Sequence, residues 1–572
     1  MLKSILLLST AVVAATAAQW PTPEAIEAAT RSKYDEFGNH FMENCTGFDC
    51  LQQYVNHDDG IFHWEDLNIS ISGKSLNPLS DVTWTGHFVN VTSQQWLTSE
   101  DTSRSIWWHV LCIIVPSNVQ YDNDAFLWIT GGNNADDIQN LTDWLPKPTD
   151  EDIIVSSYVA METGTIGAAL FQVPNEHMTF VADPKQQSRT EDAVIAFTWF
   201  QFVLNSTNLP NVNEWPLRLP MTKSAVKAFD TITEFVDQKY QKNITSFYVA
   251  GASKRGWTTW TTAAVEPRVV GMMPVVMDEL NFIKNIHHHY RAYGGWSFAL
   301  SDYIALNFTA QIDNPRTQTL MDIVDPFAYK ERLTMPKLVI NSCMDEFFLP
   351  DDTHYWWRGM PDPKHFLIVP NAEHSEATGI LELLPAVATY MTGLQKQREI
   401  PVFEWEISNV THDITVTTDP KLKDSLVSVK MWHATTCNSK RRDFRIINAV
   451  TPCECGFEVK GKDVCVNLGI LWTSEELEET TAGSGVYVAH RDDPADGKWT
   501  AFMVDVQYKR NAADTRIAHQ YVKAPDAQNP LGWPIDLDHY EFTTGVSIVP
   551  DTFPFPDCKG ETGPYNCTGV LV

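Results

Sequence analysis

The sequence predicts an α/β protein with a mostly parallel sheet flanked by helices, followed by a β-rich C-terminal domain of sandwich type. From about Ala125 to His374, short β-rich runs alternate with longer helical patterns, which is typical of βαβ units. After about Glu399 the pattern changes to alternating β-type runs separated by turn residues. At 572 residues the chain is also too long for one core of the usual ~100 to 200 residues. These observations favour two folded domains.

Six apolar runs of the α/β region are predicted as strands that are covered on both faces. They are AFLWIT (125–130), DIIVSSYV (152–159), SFYVAG (246–251), MMPVVM (272–277), KLVINS (337–342) and HFLIVP (365–370). Between them, SRTEDAVIAFTWFQFVL (188–204) is predicted as a buried helix whose Ser188 and Glu191 have capping-box spacing. SAVKAFDTITEFV (224–236) has the single apolar stripe of an amphipathic helix.

An aromatic-rich segment, residues 281–325, interrupts the alternation of strands and helices. Inserted after a strand end, it is interpreted either as a lid over a site or as ordinary packing over the sheet edge. Both interpretations stay open at the level of sequence.

The C-terminal part contains six β-type runs and six of the ten cysteines. The runs are FEWEISNVTHDITVTTDP, LVSVKMWHATT, RIINAV, GVYVAHR, WTAFMVDVQY and TTGVSIVP. They favour an antiparallel sandwich of immunoglobulin type, although a barrel would give the same pattern. The predicted domains are therefore a signal peptide at 1–18, an α/β domain at 19–399 with the possible lid at 281–325, and a β-rich domain at 400–572.

The formal net charge of −30 excludes several classes of partner. Nucleic-acid binding depends on lysines and arginines that displace counterions from phosphates, so nucleic acid is not expected as a partner. The same charge gives no attraction to an anionic membrane surface, and no apolar run after the N-terminus has the ~20 residues that a membrane-spanning helix needs.

The N-terminus has the three parts of a secretory signal peptide, with cleavage expected after Ala17 or Ala18. Lys3 precedes an apolar run, and small residues follow it. Secretion agrees with nine Asn-x-Ser/Thr sequons, at Asn44, Asn68, Asn90, Asn140, Asn205, Asn243, Asn307, Asn409 and Asn566. The mature protein is predicted to be secreted, extracellular and glycosylated.

The even number of cysteines fits a disulfide framework in an oxidising compartment. Cys45 with Cys50, and Cys558 with Cys567, are close enough for local loops. Cys437, Cys453, Cys455 and Cys465 form a cluster whose connectivity the sequence does not fix, with a zinc site as the less favoured alternative. Cys112 and Cys343 lie in apolar runs, where buried thiols and a bridge are equally expected.

The stretch VAGASKRGW predicts a catalytic serine, Ser253, in a sharp turn between a strand and a helix. Such an elbow lifts the hydroxyl clear of the backbone and needs small residues nearby, which Gly251 supplies. The residue two positions after the serine is Arg255, where the esterase version has glycine. A structural bend is the alternative interpretation of this motif on its own.

Two further residues complete a triad in the chain order Ser, acid, His. Asp345 follows the strand KLVINS, and His374 follows the strand HFLIVP. Both positions are at the carboxyl ends of predicted parallel strands, where α/β sheets place their sites. Asp278, at the end of MMPVVM, is an alternative acid; Asp345 is preferred because of its strand order.

An oxyanion hole is predicted from two backbone segments. Lys254 supplies the N–H after the nucleophile. The loop Gly131-Gly132-Asn133, in LWITGGNN, supplies a second donor, and its alternative interpretation is a simple turn.

Other chemistries lack their signatures. The chain has no Gly-x-Gly-x-x-Gly after a strand, no Walker loop and no His-Glu-x-x-His, so neither a cofactor nor a metal is expected. The run from His287 to His289 is a weak candidate for metal binding, because adjacent residues of a helix point apart.

The motifs GASKRGWTTWTTAAVEPRV and DEFFLPDD resemble the PhoPQ-activated pathogenicity-related protein family, over about Leu51 to His374 and more loosely beyond. The resemblance implies an α/β-hydrolase fold with Ser253, Asp345 and His374 at the triad positions. It also implies that SKRGW is the family's own form of the elbow. It implies no substrate, and one branch of the family is regarded as a secreted growth-inhibiting signal.

Two functions are therefore expected. The first is a secreted serine hydrolase that acts on an ester or amide bond of a small-molecule or peptide substrate. The second is a secreted autocrine signal that restrains proliferation through a cell-surface receptor, with the hydrolase fold as the binding scaffold.

Overall fold

The computed structural model describes residues 42, 44–75, 80–134, 145–209, 211–449, 452–460, 462, 464–510, 539–560, 566–568 and 571–572. The chain divides into two compact units. The first comprises the described residues of Met1–Pro274 and Asn314–Met335, and the second those of Val275–Asp313 and Pro336–Val572. The predicted signal peptide lies outside the described residues.

The strands, numbered in chain order, are β1 His63–Lys74, β2 Thr83–Gln95, β3 Ile106–Pro116, β4 Tyr121–Ile129, β5 Thr165–Leu170, β6 Ser246–Ala252, β7 Val269–Val275, β8 Lys337–Ser342, β9 Lys364–Val369, β10 Phe403–Ile407, β11 Ile414–Thr418, β12 Leu426–Thr435, β13 Ile447–Asn448, β14 Phe457–Glu458, β15 Cys465–Val466, β16 Thr473–Glu476, β17 Val486–Ala489, β18 Thr500–Lys509, β19 His539–Thr543 and β20 Ser547–Val549.

The α-helices are α1 Phe48–Asn56, α2 Glu151–Thr163, α3 Glu191–Leu204, α4 Arg218–Tyr240, α5 Lys254–Val265, α6 Phe282–Tyr293, α7 Ser301–Ala305, α8 Pro315–Val324 and α9 Ile380–Gln395. The predicted insertion, residues 281–325, is therefore largely helical. Its role as a lid stays a prediction.

The first unit is built on a mixed sheet in the order β1-β2-β3-β5-β4-β6-β7. The pairings β1·β2, β2·β3 and β3·β5 are antiparallel, whereas β4 pairs in parallel with both β5 and β6. The strands β3 and β5 are buried along almost their whole length, which explains their continuous apolar sequences. The sheet is covered by helices: Phe229 of α4 stacks on Phe247 of β6 with ring centroids 3.9 Å apart.

One predicted strand is wrong. The run 152–159 lies inside helix α2, which begins after Asp150, whose side chain accepts a hydrogen bond from the Asp152 N–H, and ends at Gly164 in the left-handed conformation. Because α2 is buried on nearly all sides, its sequence is as continuously apolar as that of a buried strand, and periodicity cannot separate the two. The strand at this place in the chain is the following one, β5, which is short and rich in alanine and glycine.

The predicted capping box of α3 is also wrong. The helix begins at Glu191 with Thr190 as its N-cap, and the Thr190 side chain makes no capping hydrogen bond. Glu191 is instead bound by basic side chains that come from α5. A tertiary ion pair therefore replaces the local cap that the spacing predicted.

In the second unit, β8 and β9 pair in parallel, with Ser342 opposite Val369. The C-terminal part forms three separate antiparallel sheets. Their orders are β10-β11-β17, β16-β12-β18-β19 with β20 also on β18, and β13-β15-β14. The predicted fold class is confirmed: a large, mostly parallel sheet is flanked by helices, and separate antiparallel sheets follow in the C-terminal part. The domain boundary at 399/400 stays a prediction.

Four disulfides are formed, and they resolve the ambiguous cysteine cluster. The local pairs Cys45–Cys50 and Cys558–Cys567 are those that the spacing predicted. In the cluster, Cys437 bonds to Cys455 and Cys453 to Cys465. The two remaining cysteines, Cys112 and Cys343, are free and buried. Among the described residues, no helix combines the length and the apolar character that crossing a membrane requires.

Candidate active site

Ser253 lies between β6 and α5, in the turn where the sequence places it. Its backbone has φ 57° and ψ −125°, a positive-φ conformation that costs free energy for a residue with a side chain and that concentrates at functional sites. The N–H of Trp257 donates to the Ser253 carbonyl at 2.9 Å, which starts the helix directly after the turn. The serine is partly exposed. This is the strand-to-helix geometry that a nucleophile elbow requires.

Gly251 is required by the close approach of backbone around this turn. A Cβ at this position would lie 2.8 Å from the carbonyl oxygen of Arg255 and 2.9 Å from that of Ile129. Both contacts are shorter than real Cβ atoms allow, and neither backbone atom can swing away as a flexible side chain would. The glycine therefore lets α5 begin immediately beside the end of β4.

Arg255, the residue that departs from the esterase motif, connects the elbow to other segments of the first unit. Its Nε donates to the carbonyl of Val173 at 2.5 Å, and its Nη2 donates to Glu191 Oε1 at 2.5 Å. The ammonium of Lys254 pairs with Glu191 at 2.9 Å and with Asp192 at 2.8 Å. The two basic residues after Ser253 thus fix the start of α5 to the start of α3.

The carboxyl groups of this network have divergent pKa values. Burial alone would raise the pKa of Glu191, but the charges of Arg255 and Lys254 outweigh it and hold this pKa at about 2. Burial, followed by repulsion from Glu191, raises the pKa of Glu176 to about 8. Glu176 accepts a hydrogen bond from the Glu191 N–H at 2.5 Å. Glu191 is therefore ionised at neutral pH, and Glu176 is mostly protonated.

The predicted oxyanion loop lies beside the elbow. In the parallel pairing of β4 with β6, Ile129 is opposite Gly251, so both the loop and Ser253 follow the same end of adjacent strands. The Gly131 carbonyl accepts from the Gln172 N–H at 2.8 Å, and Gly132 has φ 116°, which favours glycine. Asn133 forms an isolated parallel bridge with Glu176.

Arg255 also contacts this loop. A Cβ on Gly131 would lie 2.4 Å from Arg255 Nη2, so the guanidinium packs directly on the glycine backbone. Lys254, whose N–H is the other predicted donor, is the residue that follows Ser253, and its carbonyl accepts from Arg218 Nη1. The first unit thus brings together Ser253 and all of the residues predicted for the oxyanion hole.

In the second unit, the structure joins the predicted acid to the predicted base. His374 Nδ1 and Asp345 Oδ2 are 2.7 Å apart. The other oxygen of Asp345 accepts from the backbone N–H groups of Phe347 at 2.6 Å and Phe348 at 3.2 Å. Asp345 is 3% exposed. An acceptor at Nδ1 selects the tautomer of neutral histidine whose Nε2 carries no proton, which is the arrangement that a general base needs.

Three neighbours hold His374 in place, and none of them was singled out in the sequence. Its backbone N–H donates to Glu346 Oε2 at 3.0 Å. Its ring lies 4.3 Å from that of Phe347 and 5.6 Å from that of Phe348, centroid to centroid. Burial, followed by repulsion from Asp345, raises the pKa of Glu346 to about 7. The signal for these residues was their place in DEFFLPDD, the motif that carries the family resemblance.

Asp278, the alternative acid, has another partner. It is 2% exposed and accepts from the indole N–H of Trp356 at 2.7 Å. Burial is the main cause of the pKa of Asp278 lying well above its ordinary value, and repulsion from Asp345 adds to it. A carboxyl group whose ionised form is disfavoured is a poor partner for an imidazolium. The geometry and the charge both favour Asp345 as the group that orients His374.

The three adjacent histidines of α6 have separate partners. His287 contacts Asp557 at 2.7 Å and Asp313 at 3.0 Å. His288 contacts Asp351 at 3.0 Å, and Nε2 of His289 accepts from the Ser297 N–H. His287, Asp557 and Cys558 lie close enough together for a metal site, but Cys558 is committed to its disulfide.

Comparison with known proteins identifies the family to which the chain belongs. The model of the family described as PhoPQ-activated pathogenicity-related protein matches residues 51–445. A curated relative, autocrine proliferation repressor protein A of Dictyostelium discoideum, is 34% identical over 529 residues, which cover 91% of this chain and 93% of the relative.

Solved structures similar to the chain include esterases. Acetyl xylan esterase 1 from a Thermoanaerobacterium species superimposes with a TM-score of 0.36 at 14% identity, over 64% of this chain and 98% of that one. The acetyl xylan esterase of a Paenibacillus species gives a TM-score of 0.37 at 11% identity, over 59% and 92%. At these TM-scores the two enzymes say nothing about substrate or mechanism here.

Proposed function

Because this chain belongs to the PhoPQ-activated pathogenicity-related protein family, we propose that it is a secreted, glycosylated serine hydrolase that cleaves an ester or amide bond. The observation that carries the proposal is the 2.7 Å contact between His374 Nδ1 and Asp345 Oδ2, on residues that the sequence selects in the order of a hydrolase triad. The positive φ of Ser253, in the turn between strand and helix, also supports the proposal.

In the proposed mechanism, Ser253 Oγ attacks the carbonyl carbon of the substrate while His374 Nε2 takes the hydroxyl proton. The resulting imidazolium is stabilised by the side chain of Asp345. Collapse of the tetrahedral intermediate breaks the bond to the leaving group, and His374 returns the proton to that group. A water molecule, deprotonated by the same histidine, then releases the acid product and restores the Ser253 hydroxyl.

The negative oxygen of the tetrahedral intermediate needs donors that are already in place. We assign this role to the backbone N–H of Lys254 and to the Gly131-Gly132-Asn133 loop. Two observations support the assignment: the loop and the elbow follow adjacent parallel strands, and Arg255 packs between them.

Secretion is supported by the predicted signal peptide and by the four disulfides, because such bonds persist in oxidising compartments. Of the nine sequons, Asn90 is 2% exposed in β2, so a glycan there is incompatible with the fold. Exposed sequon asparagines are Asn44, Asn68, Asn243, Asn307 and Asn409. Asn140 lies outside the described residues.

The hydrolase proposal is tested by reacting the secreted protein with a fluorescent fluorophosphonate. We expect labelling of the wild type and its loss in Ser253→Ala, with a fall of ~10³-fold or more in the labelling rate of His374→Ala. Ser301→Ala, which removes an exposed hydroxyl of α7, is the matched control and should label normally. Asp345→Asn should label far more slowly than Asp278→Asn. Folded protein that does not label, or that labels equally in Ser253→Ala, contradicts the proposal.

A second function is favoured by the relative's name. Autocrine proliferation repressor protein A is 34% identical over nearly its full length, which motivates the hypothesis that this chain also restrains proliferation through a cell-surface receptor. Purified wild type and Ser253→Ala are added to growing cells. Slower growth with both proteins indicates a scaffold role, and slower growth with the wild type alone makes hydrolysis part of the signal. No effect of either protein contradicts the signalling hypothesis.

A further inference from the structure

A cleft of about 560 Å³ lies within the second unit. It is lined by side chains of α6, of the segment from Asp351 to Arg358, of the hairpin from Trp405 to His412, and of residues 545–553, together with Arg442. Its volume falls in the usual range for small-molecule sites, ~300 to 1,000 Å³. None of the residues predicted for catalysis lines it.

Positive charge predominates among the ionised residues of the cleft, in a protein whose net charge is −30. Three arginines, Arg291, Arg358 and Arg442, face two aspartates, Asp351 and Asp551. The remaining titratable lining residues are His288, His354, His412 and Tyr355. Of the two aspartates, Asp351 already pairs with Arg442 and with His288. Within the described part of the chain, neither Arg291 nor Arg358 has a carboxylate partner.

Two of the arginines hold a buried donor without an acceptor. Arg442 is 1% exposed, and among the described residues neither its Nε nor the buried Nε of Arg291 has a hydrogen-bond partner. Leaving such a charged donor unpaired is costly, so buried donors without partners are rare and call for an explanation. A bound anion in the cleft supplies the missing acceptor for Arg291.

Two of the three guanidinium groups are held in place by an aromatic ring. Arg291 and Arg442 lie over Phe553, with the guanidinium carbons 4.2 and 4.3 Å from the ring centroid. Arg291 Nη2 also donates to the hydroxyl of Tyr355 at 2.8 Å. Cation–π contacts of this kind orient a guanidinium without neutralising it. The donors of Arg291 and Arg442 are therefore in position before a ligand arrives, which lowers the entropic cost of binding.

The walls of the cleft add flat apolar surface to this positive charge. Trp357 and Trp405 contribute indole rings, and Ile407, Val546 and Ile548 contribute aliphatic surface. An inorganic anion uses the arginines alone, whereas a ligand with a flat apolar body also covers the rings. The lining therefore matches a molecule that has both features.

We propose that this cleft binds an organic carboxylate with a flat apolar body. The carboxylate receives paired N–H donors from Arg291 and Arg358, in the forked geometry that guanidinium groups offer to carboxylates. The apolar body lies against Trp357 and Trp405. The site goes beyond the proposed hydrolase function, because it uses neither Ser253 nor His374.

The test is calorimetric titration of the full-length secreted protein with 1-naphthoate at low ionic strength, beside the neutral analogue 1-naphthamide. We expect saturable one-to-one binding of naphthoate and binding of naphthamide at least about tenfold weaker, because a hydrogen bond to a charged group is worth about a factor of ten or more. Since Asn409 is a sequon residue that lines the cleft, the titration is repeated with Asn409→Gln. Binding by either form supports the proposal, and binding by neither overturns it.

Variants locate the binding. Arg358→Gln changes an exposed residue that should not disturb folding, and it should weaken naphthoate binding about tenfold. Arg291→Gln should do the same if its melting temperature matches the wild type. Arg398→Gln removes a charge of the same unit outside the cleft and should leave binding unchanged. Unchanged affinity in Arg358→Gln, or equal affinity for naphthamide, overturns the proposal.

Two further measurements distinguish this binding from binding of any anion and from binding at the proposed catalytic serine. Sodium sulfate at the same concentration should compete poorly, and competition as strong as that of naphthoate would show that the apolar body plays no part, against the proposal. Ser253→Ala should bind naphthoate like the wild type while losing fluorophosphonate labelling. The cleft and the hydrolase proposals can therefore fail separately.

Discussion

Arg255 connects the turn that carries Ser253 to the loop that follows β4. Its guanidinium donates to the Val173 carbonyl and to Glu191, and it packs on the backbone of Gly131. A glycine at this position, as in the esterase motif, would make none of these contacts. We infer that Arg255 is a positioning residue: it acts on the oxyanion loop without touching the substrate.

Arg255→Met removes these contacts and keeps most of the side-chain volume. We expect the fluorophosphonate labelling rate to fall ~10- to 100-fold, because a misplaced oxyanion donor costs up to ~10³. With an ester substrate, kcat should fall while KM changes little, and Arg255→Lys should recover part of the loss. Arg332→Met is the control, since Arg332 is an exposed arginine of the same unit that donates to the Ala264 carbonyl. A folded Arg255→Met protein with unchanged kcat contradicts the inference.

Glu214 is a buried carboxyl group away from the site, and it makes stability depend on pH. Burial, followed by the charge of Asp101, raises its pKa to about 8, against ~4.3 in an unfolded chain. Its contribution to the free energy of unfolding is thus complete below about pH 4 and is lost as the pH rises through about 8.

Glu214→Gln is neutral at every pH. We expect its melting temperature to match the wild type near pH 4.5 and to exceed it by a few degrees at pH 8, since the slope reaches about 1.4 kcal/mol per pH unit between the two pKa values. Glu331→Gln changes an exposed residue and should show no such divergence. Melting curves at the two pH values measure the effect, and parallel curves for Glu214→Gln and wild type contradict it.

At the scale of elements, the strand-turn-helix unit around Gly251 depends on close backbone approach. Gly251→Ala would push a Cβ against the carbonyls of Arg255 and Ile129. We expect a loss of about 1 to 3 kcal/mol in the free energy of unfolding, as for other overpacked sites, together with loss of labelling. Gly60→Ala is the comparison: its φ is 67°, but nothing lies within 4 Å of the added methyl group. It should therefore lose only ~1 kcal/mol from the left-handed conformation and keep full labelling.

The positions of the strands and helices show which features can be predicted from the sequence. The strands β4, β6, β7, β8 and β9 lie close to their predicted positions because each is a short apolar run bounded by turn residues. Helix α2 was predicted as a strand because it is buried on nearly all sides, so its sequence lacks the helical alternation of apolar and polar residues. The capping box at Ser188 failed because Glu191 is bound by Lys254 and Arg255, which are 63 and 64 positions later in the chain. Local spacing carries no information about such a partner.

Some residues of the candidate site can be predicted from the sequence, and others cannot. The triad residues could be proposed from sequence because a strand end, a motif and a chain order mark each of them. Glu346 could not, because its role comes from a hydrogen bond to the His374 backbone and from burial. Both features depend on the tertiary structure and cannot be seen in the sequence. The sequence likewise does not determine the disulfide pairs of the C-terminal cluster, because they depend on the positions of strands β13 to β15.

For the whole molecule, the disulfide framework predicts a thiol count. Alkylation of the denatured, unreduced protein should modify two cysteines, Cys112 and Cys343, and reduction should make all ten reactive. Peptide mapping should recover the pairs Cys437–Cys455 and Cys453–Cys465. More than two reactive thiols before reduction, or a bond between Cys437 and Cys453, contradicts this framework. Either result would also weaken the case for secretion.

We propose that this α/β protein uses Ser253 as a nucleophile, activated by His374 and Asp345. The most direct measurement is mass spectrometry of the fluorophosphonate-treated protein, because it identifies the modified residue as well as the reaction. We expect one phosphonyl group per molecule, on the peptide that contains Ser253, and none on the His374→Ala protein over the same time. A folded wild type that carries no adduct, or carries it on another residue, would show that Ser253 is not the nucleophile.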